Sequence, residues 1–155
     1  MSFIATSSTI KSSTFVPETS RVSSRSRFAT VGIATAIAAG LANMLVYYLG
    51  SAVVSYDPDF VELGSAVGIG IFTLVLAIPA VLLYAVLLRR SGNPVRLFTI
   101  ISAVVLLLSV IPDFTFVPSE PGASAAQTSI LVLMHIVAAG VIVWMLTTFA
   151  RPQND

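Results

Sequence analysis

The sequence predicts an all-α integral membrane protein: a bundle of four spanning helices behind a disordered tail rich in serine and threonine. Three observations carry that prediction. Apolar residues make up 56% of the 155 residues and charged residues only 10%, whereas a water-facing domain carries about a quarter. The apolar residues gather into four long runs. Every Lys and Arg falls in the tails or in the gap that would face one side of a membrane. Lipid must therefore cover most of the surface.

Residues 1–27 read as the tail. Serine and threonine dominate, Pro17 interrupts, and no apolar periodicity appears. Such a segment buries too little to offset the entropy of ordering it. Glu18 is its only acid, a composition shared with organellar transit peptides; a cytoplasmic tail ending in a basic anchor is the simpler reading. No short apolar core precedes a cleavage site, so it is not a secretory signal.

The membrane domain, residues 28–151, holds spans at about 28–54, 65–88, 94–111 and 128–149. The first is longer than the ~20 residues a crossing needs, so it tilts or projects. Tyr47 and Tyr48 sit where an interfacial aromatic belt is expected. The second carries Pro79 near its middle. Proline has no N–H, so the carbonyl of Val75 loses its partner and a kink is expected. In the turn Arg89-Arg90-Ser91-Gly92-Asn93-Pro94, Gly92 suits a left-handed position after the helix end. Asn93 suits the cap of the next helix and Pro94 its first position. Pro112 is expected to end the third span, leaving Asp113 at the start of a loop.

Charge asymmetry gives the orientation. Arg21, Arg25, Arg27, Arg89, Arg90, Arg96 and Arg151 fall on one side, with Lys11 further out. The opposite segments hold Asp57, Asp59, Glu62, Asp113 and Glu120 and no basic residue. The positive-inside rule then puts both termini in the cytoplasm of a multi-pass protein of the inner or plasma membrane.

Few residues can carry chemistry. The net charge is +1, and the arginines form no stripe, so nucleic acid is not a partner. There is no cysteine and one histidine, which leaves no structural zinc site within one chain. A haem would need a second axial ligand from a dimer or another residue type. No Walker loop, HExxH or GxSxG occurs, so no cofactor is implied.

Gly32, Ala36 and Gly40 recur every four residues in the first span and read as a helix-packing seam. Asn43 and Tyr47 continue that face. Asn43 is then a candidate for an interhelical hydrogen bond. His135 lies in the outer half of the fourth span, with Ala138 and Ala139 one turn along. Its plain reading is a neutral ring bonded to a neighbouring helix; its sharper one is a proton-exchanging or ligand-contacting group. Asn43, Tyr47, Asp113 and His135 come from three helices and all fall toward the outer side. They form a candidate polar pocket with an Asp113–His135 contact; the alternative is that Asp113 faces water.

Asn43 late in the first span, the Arg89-Arg90 turn, Ile111-Pro112-Asp113 and Leu133-Met134-His135-Ile136-Val137-Ala138-Ala139 resemble a family of small, uncharacterised four-span bacterial membrane proteins, a domain of unknown function. The resemblance covers about residues 27–151 and implies a four-helix membrane fold without an assigned activity.

The leading functional expectation is a non-catalytic subunit or interaction partner, covered by the lipid bilayer and by a membrane-protein partner or further copies of itself. Two others stand beside it. A transporter or lipophilic-ligand binder would use the outer pocket, and transport would need a homo-oligomer, because four helices leave little room for a path. A membrane enzyme would use His135 as acid or base.

Overall fold

The computed structural model describes residues 18–150. Four helices make up the fold: α1 Glu18–Ser51, α2 Ala66–Arg90, α3 Pro94–Thr115 and α4 Ala125–Phe149. Short 3-10 turns, Val61–Leu63 and Val117–Ser119, lie in the two longer connections, and no strand occurs among the described residues. All four helices are long and apolar enough to cross a bilayer. This is a multi-pass membrane protein.

Local chemistry sets the helix starts. Ser65 caps α2, its hydroxyl accepting from the Gly68 N–H at 3.3 Å. Asn93 caps α3, its side chain accepting from the Arg96 N–H at 3.2 Å, with Pro94 in the first helical position. Ser124 caps α4 by accepting from the Gln127 N–H at 3.2 Å, and its hydroxyl donates to Gln127 Oε1 at 2.7 Å. That Ser-x-x-Gln spacing is a capping-box pattern. It starts α4 three residues before the position expected from apolarity. At the other end of α2, Arg89 and Arg90 occupy the last turn, where cations complement the helix dipole.

Three expectations are corrected. Residues Glu18–Arg27, expected in a disordered tail, belong to α1. They hold no Gly or Pro, and they extend a helix already nucleated by the apolar run, so each adds a bond without a new nucleus. The expectation for residues 1–17 lies outside the described residues. Next, α3 does not stop at Pro112 but runs on to Thr115. Proline's fixed φ suits a helix, although its ring removes the bond to the Leu108 carbonyl and crowds that oxygen; the ladder resumes with Phe116 N–H to Pro112 O at 2.9 Å. Lastly, Gly92 has no positive φ; among the described residues only Gly122 does, at 72°. Extended Ser91 makes the turn, its hydroxyl accepting from the Asn93 N–H at 3.2 Å. Pro79 sits inside α2, which continues through it.

The packing is uneven. α1 lies against both α2 and α4, α3 packs mainly on α4, and α2 and α3 touch much less. α1 and α2 meet along the small-residue seam. A Cβ placed on Gly40 would lie 2.9 Å from the backbone oxygen of Gly70, and one on Gly32 would lie 2.6 Å from Val81 Cγ1. Ala36, Ala39 and Thr35 are buried on the same helix.

Two apolar clusters mark the two ends. At one end Tyr84, Leu87, Phe98, Leu146 and Ala150 pack together, backed by Phe28 and Val31. The rings of Tyr84 and Phe98 sit 4.9 Å apart. At the other end Phe60, Leu63 and Val117 fold down from the connections onto Leu131 and Met134. Phe60 and Leu63 are essentially inaccessible, so the first connection is part of the core. Arg27, Arg89, Arg90 and Arg96 gather at the first end; Asp57, Asp59, Glu62 and Glu120 lie at the second.

Candidate functional site

A cavity of about 710 Å³ lies in the half of the bundle nearer the acidic end. α2 supplies one wall through Ile69, Phe72, Thr73 and Leu76. α4 supplies the other through Leu131, Met134, His135, Ala138 and Ile142. Asn43 reaches it from α1, and Val61, Glu62, Gly64 and Ser65 rim it. α3 contributes Asp113 alone. α2 and α3 touch little, so α3 leaves the cavity weakly walled on its side. Phe72 and Leu76 are exposed there, at 66% and 54%. The cavity thus opens sideways at the depth of the apolar spans.

Asn43 is buried and donates from Nδ2 to Thr73 Oγ1 at 2.9 Å. Thr73 Oγ1 in turn donates to the Ile69 carbonyl at 2.8 Å. A hydroxyl has one hydrogen, so Thr73 can only accept from Asn43. That settles the amide's orientation: Oδ1 faces away from Thr73, and it has no partner.

Asp113 is 5% exposed. Its Oδ2 lies 3.3 Å from His135 Nδ1 yet has no hydrogen-bond partner of good geometry. The reason is that Nδ1 is directed to the Leu131 carbonyl one turn back, at 2.9 Å. A carbonyl only accepts, so Nδ1 carries the hydrogen in that bond. In the neutral ring Nε2 is then an acceptor. The continuation of α3 through Pro112 is what places this contact: as the first residue of a loop Asp113 would face water, whereas on the helix it turns toward α4.

Tyr47 is not among the lining residues. It lies one turn beyond Asn43, rotated by about 40° on the helix, and the first connection folds back over it. Its ring packs 4.9 Å from that of Tyr56, whose hydroxyl donates to the Tyr47 carbonyl at 2.8 Å. Burial, and then the neighbouring Tyr47, push the Tyr56 hydroxyl above the ordinary tyrosine value of 10.0. Of the two alanines beside His135, Ala138 lines the cavity and Ala139 does not. Thr73 and Glu62 line the cavity in addition to the residues expected from the sequence. Thr73 falls at a polar position four residues after Ile69 inside an apolar helix, a signal that points to carbonyl bonding as readily as to a site.

No group of three or more His, Asp or Glu that would hold a metal ion occurs among the described residues.

Residues 23–152 match the model of a family of unknown function, DUF6069. The chain belongs to that family. No curated protein and no solved structure matches it. In this DUF6069 member the cavity lining is apolar or glycine except for Asn43, Glu62, Ser65, Thr73, Asp113 and His135.

Proposed function

We propose that this protein binds a small lipophilic molecule in the outer half of its bundle, taken in sideways from the bilayer. The carrying observation is the apolar cavity with two buried, unpartnered acceptors, Asn43 Oδ1 and Asp113 Oδ2, on residues that line it. Membrane interiors punish unpaired polar groups, and apolar pockets with a few converging polar atoms are the usual form of a ligand site. An interaction subunit would need neither the cavity nor the carboxylate beside His135.

The same reading puts both termini in the cytoplasm. Arg27, Arg89, Arg90 and Arg96 lie at one end of the bundle, and basic residues favour the cytoplasmic side. The cavity then lies in the half nearer the outer surface. Cysteine variants at exposed Asp59 and Glu120 test this, since the chain has no cysteine of its own. An impermeant thiol reagent should label both on intact cells, and failure of either would reverse the assignment.

Native mass spectrometry of the full chain in a mild detergent tests the binding. A one-to-one adduct should accompany wild type and be lost from Ala138→Phe, which fills the cavity from α4. Identical spectra from two well-folded proteins would defeat the reading. The Asp113–His135 contact also meets the geometric need of an acid/base pair. Conversion of the bound species by wild type, abolished in His135→Gln, would move the function from binding to catalysis.

A further inference from the structure

Resting on that reading, we infer that the bound molecule is a lipophilic amine, held by its protonated nitrogen against Asp113 and Asn43. Among the lining residues, the buried polar atoms with no hydrogen-bond partner are acceptors. Asn43 Oδ1 is orphaned because Thr73 has no hydrogen to offer it. Asp113 Oδ2 is orphaned because the His135 Nδ1 hydrogen goes to Leu131. His135 Nε2 forms no hydrogen bond among the described residues and accepts in the neutral ring. Glu62 adds a further carboxylate at the rim. No Lys or Arg lines the cavity, and none occurs between Arg27 and Arg89 or between Arg96 and Arg151.

Such a site asks its occupant for donors and for positive charge. A protonated amine supplies both, with up to three N–H groups and no acceptor. A carboxylate or phosphate ligand would place an anion against a buried carboxylate, which costs rather than gains. An alcohol supplies one hydrogen for two orphaned acceptors and leaves Asp113 without a counter-charge. A bare metal ion lacks the ligand set and would leave the apolar walls of Phe72, Leu76, Met134 and Ile142 wet. The walls require an apolar body, and the side opening between α2 and α3 suits a molecule that partitions into lipid.

Four probes with one tail separate the possibilities: octylamine, octyltrimethylammonium, octanol and octanoate. Each is titrated calorimetrically into the full chain in zwitterionic nanodiscs, with empty nanodiscs subtracted. Octylamine should bind about tenfold more tightly than octyltrimethylammonium, which keeps the charge and loses the donors. Octanol should follow, and octanoate should be weakest. Asp113→Asn should bring the amine to within about threefold of the alcohol. Should that variant fail to fold, the wild-type ranking alone decides. Equal affinities, or preference for octanoate, would overturn the amine assignment while leaving a lipophilic site standing. Absence of binding by all four would remove the site as well.

Discussion

The two ends of the bundle solve the same packing problem in opposite ways. At the basic end the short Arg89–Pro94 turn holds α2 and α3 together, and Tyr84, Phe98 and Leu146 pack together fully buried. At the acidic end the helices have spread. The connections fold inward instead, with Phe60, Leu63 and Val117 covering the opening from above, and a cavity remains beneath and beside them. The difference teaches that the polar residues of this protein are not scattered faults in an apolar bundle. The buried amides and carboxylate, Asn43, Gln127 and Asp113, lie toward the acidic end, whereas the filled end buries rings, aliphatic chains and the hydroxyl of Thr147, which donates to the Val143 carbonyl.

The contrast can be broken most readily by truncation. Phe98→Ala removes a fully buried ring at the filled end and should cost about 3 kcal/mol. Phe72→Ala, on the exposed cavity wall, should cost less than about 1 kcal/mol by the same measure. Unfolding titrations in mixed micelles give both values, and equal losses would mean that the acidic end is as tightly packed as the basic one.

The seam between α1 and α2 provides a second comparison along one interface. At Gly40 an added methyl meets the Gly70 backbone, which cannot move aside alone; at Gly32 it meets only a valine side chain. Gly40→Ala should therefore cost about 2 kcal/mol and Gly32→Ala about half that. Gly92→Ala is the control, since nothing lies within 4 Å of its added methyl. A Gly40 variant as stable as the control would show that the helices do not approach there.

A smaller effect sharpens the account of the cavity floor. A double-mutant cycle on Asn43→Ala and Thr73→Val should give a coupling of about 1 kcal/mol, reporting the hydrogen bond between them. Zero coupling would free the Asn43 amide to turn over and would undo the assignment of Oδ1 as an orphan.

The smallest effect belongs to the loop cover. Burial raises the Tyr56 hydroxyl above 10.0, so the folded state favours the neutral phenol. The contribution of that group to stability is complete below about pH 10 and declines as pH rises through the folded value. The difference in phenolate absorbance between wild type and Tyr56→Phe should have its midpoint above pH 10. A transition at or below it would place Tyr56 in water and the first connection away from the bundle.

Much of this was legible in the linear chain because the signals are local. A run of apolar residues long enough to cross a bilayer is a helix wherever it sits, since no other segment can satisfy its own backbone in lipid. Asn93-Pro94 is a helix start for reasons confined to those residues. Asn43 and His135 stood out because polar side chains are conspicuous in apolar runs. Two features of the site were not legible. Pro112 reads as a stop, yet the helix continues through it to Thr115, where Phe116 N–H bonds back to the Pro112 carbonyl and Asp113 is held against α4. The burial of Phe60 and Leu63 was hidden in a segment whose acids advertise a water-facing loop.

The amino-acid order alone therefore determined the class, the number of spans and the segregation of charge, all of which follow from transfer between water and lipid one segment at a time. Only the tertiary structure decided that Asn43, Asp113 and His135 share a cavity while Tyr47 does not. Which faces meet depends on helix phase and on how far neighbouring helices diverge, and those are properties of the packed bundle, not of any one span.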